Sequence, residues 1–383
     1  LSLLRDLPAS TPAMLAAFGD EALLRAALDF EVALARAQAE AGLIETAAAD
    51  AIADACAQPL DIETLAREAA HAGTLAIPLV SALRDRLPPD IAPLLHKGAT
   101  SQDLADTALM LQAKAGAALI RVEGVRLADA LAILAERHAA TPMLGRTLLQ
   151  PALPITFGLK VAGWLQGVDA ALARFETEQA AAIRLQLGGA AGTLAGLDGQ
   201  GQVVAERMAV LLNLPASATP WHARRDGLAG LASSLAILVG AVGKIAGDIA
   251  LLAQAEVAEA FEPRVEGRGG SSAMAHKRNP TGCQVALSAA VRAPHLAATV
   301  LSALAFQHHE RGLGGWQVEA PVLAELFQLT HGALSAMALV VEGLEVDPAR
   351  MAANLVAAGV GIDLGESEAL VARALTEHRN EDR

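Results

Sequence analysis

Residues 225–261 read RDGLAGLASSLAILVGAVGKIAGDIALLAQAEVAEAF. Leu, Ile, Val and Ala occupy every side of a helix wound from this stretch, and only Lys244 and Asp248 interrupt it before Glu256. A helix apolar all round has to be surrounded by other helices. In a chain of 383 residues that predicts an all-α architecture with this helix buried at a subunit interface. Its most apolar part, residues 228–243, falls short of the roughly 20 apolar residues that span a bilayer. It is therefore read as a buried helix, and no membrane partner is expected.

The flanking sequence has the same period. Residues 22–40, 64–86, 101–138 and 156–187 carry Leu and Ala at three- and four-residue spacing. Residues 284–306 form a further helix, interrupted at Pro294. Thr100 or Ser101 caps the 101–138 helix, with Asp103 in its first turn. No β-alternation stands out. The division expected is an N-terminal helical domain (1–95), a central long-helix bundle (96–340) and an abbreviated C-terminal helical segment (341–383).

Composition narrows the function. Hydrophobic residues make up 53% and charged residues 19%, which excludes a disordered chain. Aromatics are 3% and Tyr is absent, so the core is built from small and aliphatic side chains that let helices approach closely. A net charge of −13 argues against nucleic acid and anionic membranes as partners. An anionic ligand would need locally placed Lys and Arg. Cys56 and Cys283 read as buried hydrophobes in a reduced compartment. The start, Leu1-Ser2-Leu3-Leu4-Arg5-Asp6, is charged too early for a secretory leader, so a cytoplasmic location is expected. There is no zinc spacing, phosphate loop or dinucleotide fingerprint, so neither metal nor cofactor is expected. His71, His138, His295 and His331 stand singly, and His308-His309 point to different helix faces.

The chemistry concentrates in Gly270-Ser271-Ser272-Ala273-Met274-Ala275-His276-Lys277-Arg278-Asn279-Pro280. A glycine hinge, two hydroxyls, cations and an amide are the parts that stabilise an enolate-like carboxylate dianion. On the residues alone, a solvated basic turn is the alternative. The segment resembles the signature loop of the fumarase/aspartase superfamily, Gly-Ser-Ser-x-Met-Pro-x-Lys-x-Asn-Pro, departing only at Ala275. Two more segments match that superfamily in order. They are His96-Lys97-Gly98-Ala99-Thr100-Ser101-Gln102-Asp103 and Thr141-Pro142-Met143-Leu144-Gly145-Arg146-Thr147-Leu148-Leu149-Gln150-Pro151.

The resemblance implies a long-helix bundle whose central helices form the core of a homotetramer, with active sites shared between subunits. It implies Ser271 as catalytic acid/base, with Lys277 and Asn279 on a substrate carboxylate. Thr100, Ser101, Thr141, Gln150 and Met274 complete the pocket around a small polycarboxylate. His96 is either a second acid/base or a hydrogen-bonded positioner. His222 and Arg225, in Pro220-Trp221-His222-Ala223-Arg224-Arg225, are expected to contact substrate anions, while Trp221 and Trp316 are site or core aromatics.

Two departures narrow the chemistry. The superfamily's Thr-His is Thr147-Leu148 here. Leucine cannot protonate a leaving amine, but a carboxylate leaves as a stable anion with pKa near 4. After Glu310-Arg311 the chain reads Gly312-Leu313-Gly314-Gly315-Trp316-Gln317 and lacks the serines and arginine that bind nucleotide phosphate in adenylosuccinate lyases. Both departures resemble the branch that closes and opens muconate lactones, with Leu148 expected in an apolar wall of the site. Adenylosuccinate lyase or a related C–N lyase is the alternative. A non-catalytic structural protein on the same scaffold is another, which retention of Ser271, Lys277 and Asn279 opposes.

Overall fold

The structure, a computed structural model, describes residues 3–270, 274 and 277–381. Two short helices, α1 (Leu3–Asp6) and α2 (Pro12–Ala17), lead into α3 (Asp20–Glu40). Then come α4 (Thr46–Ala57), α5 (Ile62–Ala72), α6 (Ala76–Arg84) and the long α7 (Ser101–Arg137). A hairpin of β1 (Pro142–Thr147) and β2 (Gln150–Thr156) precedes α8 (Phe157–Ala182), α9 (Gly201–Leu212) and α10 (Asp226–Leu252). After β3 (Ala260–Phe261) follow α11 (Thr281–Ala305), α12 (Gly315–Glu342), β4 (Glu345–Val346), α13 (Pro348–Ala358) and α14 (Ser367–Glu381). The fold is all-α, with two small antiparallel pairs, β1–β2 and β3–β4.

Helices α7, α8, α10, α11 and α12 form the bundle. α10 lies against α8, α11 and α12, and α7 against α8 and α12. α3 packs across α4, α7 and α9, so the N-terminal region rests on the start of the bundle. α14 crosses α8, and α13 packs on β1. Local chemistry sets the ends. The Thr156 hydroxyl accepts the Leu159 N–H at 3.1 Å and the Asp347 carboxylate accepts the Arg350 N–H at 2.9 Å, each satisfying an orphan donor of a first turn.

The structure corrects several sequence expectations. Residues 64–86 are two helices, because Gly73 adopts φ +76° and closes α5 with a left-handed cap. The 225–261 helix ends at Leu252, while α11 runs through Pro294 without a break. The hairpin was not anticipated. α10, α11 and α12 are each long and apolar enough to cross a membrane, and α10 has a mean hydropathy of 2.0 in its most apolar window. The expectation that 228–243 falls short is therefore wrong by length and composition. The three helices pack on one another.

Candidate active site

The first site segment is built on the N-terminus of α7. Asp103, fully buried, receives the N–H groups of Thr100, Gly188 and Gly189, each at 2.9 Å, and the His222 ring Nε2 lies 2.6 Å from its Oδ1. One carboxylate thus fastens the helix start, the 188–189 turn and the 220–225 segment together. The fit requires glycine: a Cβ on Gly188 would stand 2.6 Å from the His222 ring, and one on Gly98 would stand 2.5 Å from Leu197. Thr100 and Ser101 remain half-buried at the helix mouth. Free N–H groups and the helix dipole favour an anion there.

His96 sits four residues before this cap, at φ +61°. Its Nδ1 lies 2.6 Å from Oε1 of Glu31, whose side chain is wholly buried. Burial pushes the His96 imidazolium down. The hydrogen bond and charge of Glu31, with the charge of Asp103, outweigh that and hold the ring above its ordinary value. The turn is gripped by Gln38, which donates to the Lys97 carbonyl at 2.9 Å, and by Arg84, which donates to the Leu95 carbonyl at 3.2 Å.

His222 and Arg225 are not placed as expected. His222 is 3% exposed and committed to Asp103, and Arg225 is 1% exposed. The Arg225 guanidinium is bidentate to Asp106 at 2.7 and 2.8 Å and pairs with Glu319 on its other edge. It also stacks on Trp221, 4.7 Å from the ring centroid. Burial opposes its charge, but the two carboxylates keep it firmly protonated. Burial raises the Glu319 carboxyl above its ordinary value, with Arg225 pulling the other way. Nε, Nη1 and Nη2 all donate to buried carboxylates and the side chain is 1% exposed, so Arg225 is committed inside the protein. It ties α7 to α12, and Trp221 is a core aromatic whose indole N–H donates to the Leu185 carbonyl at 2.9 Å.

The second segment is the β1–β2 hairpin. Thr141 precedes β1 and its hydroxyl lies 3.0 Å from His138 Nδ1. Gln150, exposed, pairs with Thr147 across the turn. The turn residues Leu148 and Leu149 both have positive φ, +53° and +63°. That is the geometry of a type I′ turn, which favours Asn and Gly. Leu148 is 95% exposed, so among the described residues of this chain it is not packed in the expected apolar wall. The hairpin is held near its turn by Arg146, bidentate to buried Glu259 at 2.8 Å.

The third segment is the signature loop. Ser271, Ser272 and His276 lie outside the described residues. Met274 and Lys277 are exposed and Asn279 is half-buried. The Asn279 N–H donates to the Gly269 carbonyl at 2.8 Å, and the Lys277 N–H to that of Met274 at 3.1 Å. Glu262 accepts the N–H groups of Gly282 and Cys283 at 3.0 and 2.7 Å, anchoring the start of α11 just behind the loop. The two thiols are buried and pushed up, Cys56 to about 12 and Cys283 further, chiefly by burial. Neither is a nucleophile near neutral pH.

The three segments are thus held by different parts of the chain. Clefts of 340, 530 and 580 Å³ elsewhere on its surface contain none of these site residues. Sequence reading missed the organising role of Asp103 and the contribution of Glu31. The signal for the first was the glycine run at 188, 189, 192, 196 and 199, which lets a loop close over the helix start.

A polar helix mouth and a hairpin stand on a long-helix bundle, with Lys277 and Asn279 on the loop before α11. The chain belongs to the lyase family of the fumarase/aspartase superfamily, whose sequence pattern matches residues 7–294. It is 49% identical over 350 residues to the 3-carboxy-cis,cis-muconate cycloisomerase of Bradyrhizobium diazoefficiens, covering 90% of this chain and 77% of that one. It is 42% identical over 366 residues to the nitrosuccinate lyase of Streptomyces davaonensis, covering 92% and 76%. The crystal structure of the 3-carboxy-cis,cis-muconate lactonizing enzyme from Pseudomonas putida matches with a TM-score of 0.93 at 38% identity, covering 100% of both chains.

Proposed function

We propose that this chain interconverts 3-carboxy-cis,cis-muconate and its carboxymuconolactone, a step of aromatic-compound breakdown, in the cytoplasm and without metal or cofactor. The observation that carries the reading is Leu148 at the hairpin position where the superfamily has a proton-donating histidine. In lactone closure a muconate carboxylate oxygen bonds to one carbon of a double bond. The neighbouring carbon takes up the electron pair, stabilised by the carboxylate next to it, and is then protonated. In the reverse direction that proton is removed and the carboxylate departs as an anion. Only the carbon side needs an acid/base. Ser271 fills that role, with Lys277 and Asn279 on the stabilising carboxylate. Thr100, Ser101, Thr141, Gln150 and Met274 line the remainder.

A nitro group eliminated as nitrite also leaves as a stable anion, so the 42% identity to a nitrosuccinate lyase makes that the second reading. Turnover of 3-carboxy-cis,cis-muconate, measured beside nitrosuccinate and adenylosuccinate, separates the readings. The muconate is expected to be converted with the highest kcat/KM of the three.

The site is shared between subunits of a homotetramer. The protomer exposes 18167 Å², against about 14,000 Å² for a compact monomer of this mass. An excess on the order of 4,000 Å² matches an obligate interface. It includes an apolar face of α11, with Leu287, Val291, Leu301 and Leu304 37%, 69%, 49% and 36% exposed, beside Ile237 and Leu251 of α10. Gly240 of α10 leaves room for close approach, since nothing lies within 4 Å of a Cβ built there. Sedimentation is expected to give a species of about four times 39.2 kDa, with activity lost on dissociation. A stable, active monomer contradicts the shared site.

A further inference from the structure

Glu31 lies in the N-terminal region, 65 residues from its partner, and nothing in its own sequence surroundings marks it. Its side chain is completely buried. One oxygen meets His96 Nδ1 at 2.6 Å, and the other, Oε2, has no hydrogen-bond partner. A buried carboxylate with a single neutral donor is costly, whereas one facing a cation is compensated. Gln38, seven residues on and so two turns along the same helix, holds the Lys97 carbonyl. α3 therefore grips the 96–97 turn at two points. That grip accounts for a non-glycine residue at φ +61°.

We propose that Glu31 is a positioning residue of the active site: it fixes His96 with Nδ1–H turned into the protein, keeps the ring cationic, and so presents Nε2–H to a substrate carboxylate. This resolves His96 as a fixed charge rather than a second base, and it rests on the polycarboxylate reading of the site. Ser271 then remains the sole proton carrier. The charged groups facing the ring are Glu31 from α3, Asp103 from α7 and Arg84 from the end of α6. The two acids favour the cation, and burial and Arg84 oppose it. The sign follows. A raised imidazole value means the cation, and the binding it supports, is complete below the ordinary value of about 6.5 and fades as pH rises through the folded value.

The test is a ring ¹H–¹⁵N titration of the full, ligand-free chain, with the His96 signal assigned by its loss in His96→Gln. In the wild type His96 is expected to titrate above about 6.5 and, once neutral, to carry its proton on Nδ1. Glu31→Gln should lower that titration by about one unit or more. The alkaline limb of kcat/KM should move down by the same interval. KM should rise about tenfold with kcat little changed, the pattern of lost ground-state binding. Glu31→Asp, which keeps the charge, should recover most of the shift. A neutral wild-type ring protonated on Nε2, or titrating below about 6.5, overturns the proposal even if the Gln variant does not fold. So does a folded Glu31→Gln protein whose His96 titration or pH limb is unmoved. The NMR arm uses no substrate, so it stands or falls separately from the assignment of the muconate. The kinetic arm runs on whichever of the three anions is turned over.

Discussion

Ser271→Ala is expected to lower kcat by about 10²–10⁴-fold, the usual cost of a positioned acid/base, with KM changed little. The asymmetry follows from the chemistry. In the proposed reaction the carboxylate partner leaves or attacks as a stable anion, so all proton traffic runs through the carbon side and through the serine. On the proposed mechanism anion binding rests on other groups: Lys277, the N–H donors at the start of α7, and the Thr100 and Ser101 hydroxyls. A parallel loss of affinity would place Ser271 among the carboxylate holders instead. Kinetics of the variant with substrate binding measured separately decide between the two.

Arg225→Ala is expected to destabilise the protein by about 3–5 kcal/mol, the cost of breaking a buried ion pair. The reason is what it leaves behind. Asp106 and Glu319, 3% and 0% exposed, would face each other across an empty guanidinium site, and Trp221 would lose the cation over its ring. Glu319, already raised by burial, would take up a proton to remain inside. Denaturant unfolding of the variant measures the loss. A variant of wild-type stability that only binds substrate weakly would restore Arg225 to the substrate pocket and contradict its placement as a tie between α7 and α12.

The helical bundle was legible because apolar periodicity over 20 or more residues leaves little choice. The 225–261 stretch and the 101–138 stretch both appear as long helices, with Thr100 at the predicted cap. The helix mouth was legible because Thr100-Ser101-Gln102-Asp103 carries its own capping chemistry in sequence. Four features were not. The hairpin escaped because its turn is Leu148-Leu149, which carries none of the Gly or Asn that usually marks positive φ. The break at Gly73 was indistinguishable from a tolerated helical glycine. Arg225 looked like a substrate cation because its partners, Asp106 and Glu319, are 119 and 94 residues away. Long-range pairing of that kind cannot be read from local pattern. The same distance hid Glu31, which looks like any charged residue of an amphipathic helix.

The most direct measurement is incubation of the purified chain with 3-carboxy-cis,cis-muconate in the presence of a chelator, following the ultraviolet absorbance of the diene. Lactone closure removes one of the two conjugated double bonds, so absorbance should fall with enzyme concentration, stop at an equilibrium, and leave the carboxymuconolactone as product. Constant absorbance with the muconate, together with rapid cleavage of nitrosuccinate or adenylosuccinate by the same preparation, would contradict the assignment.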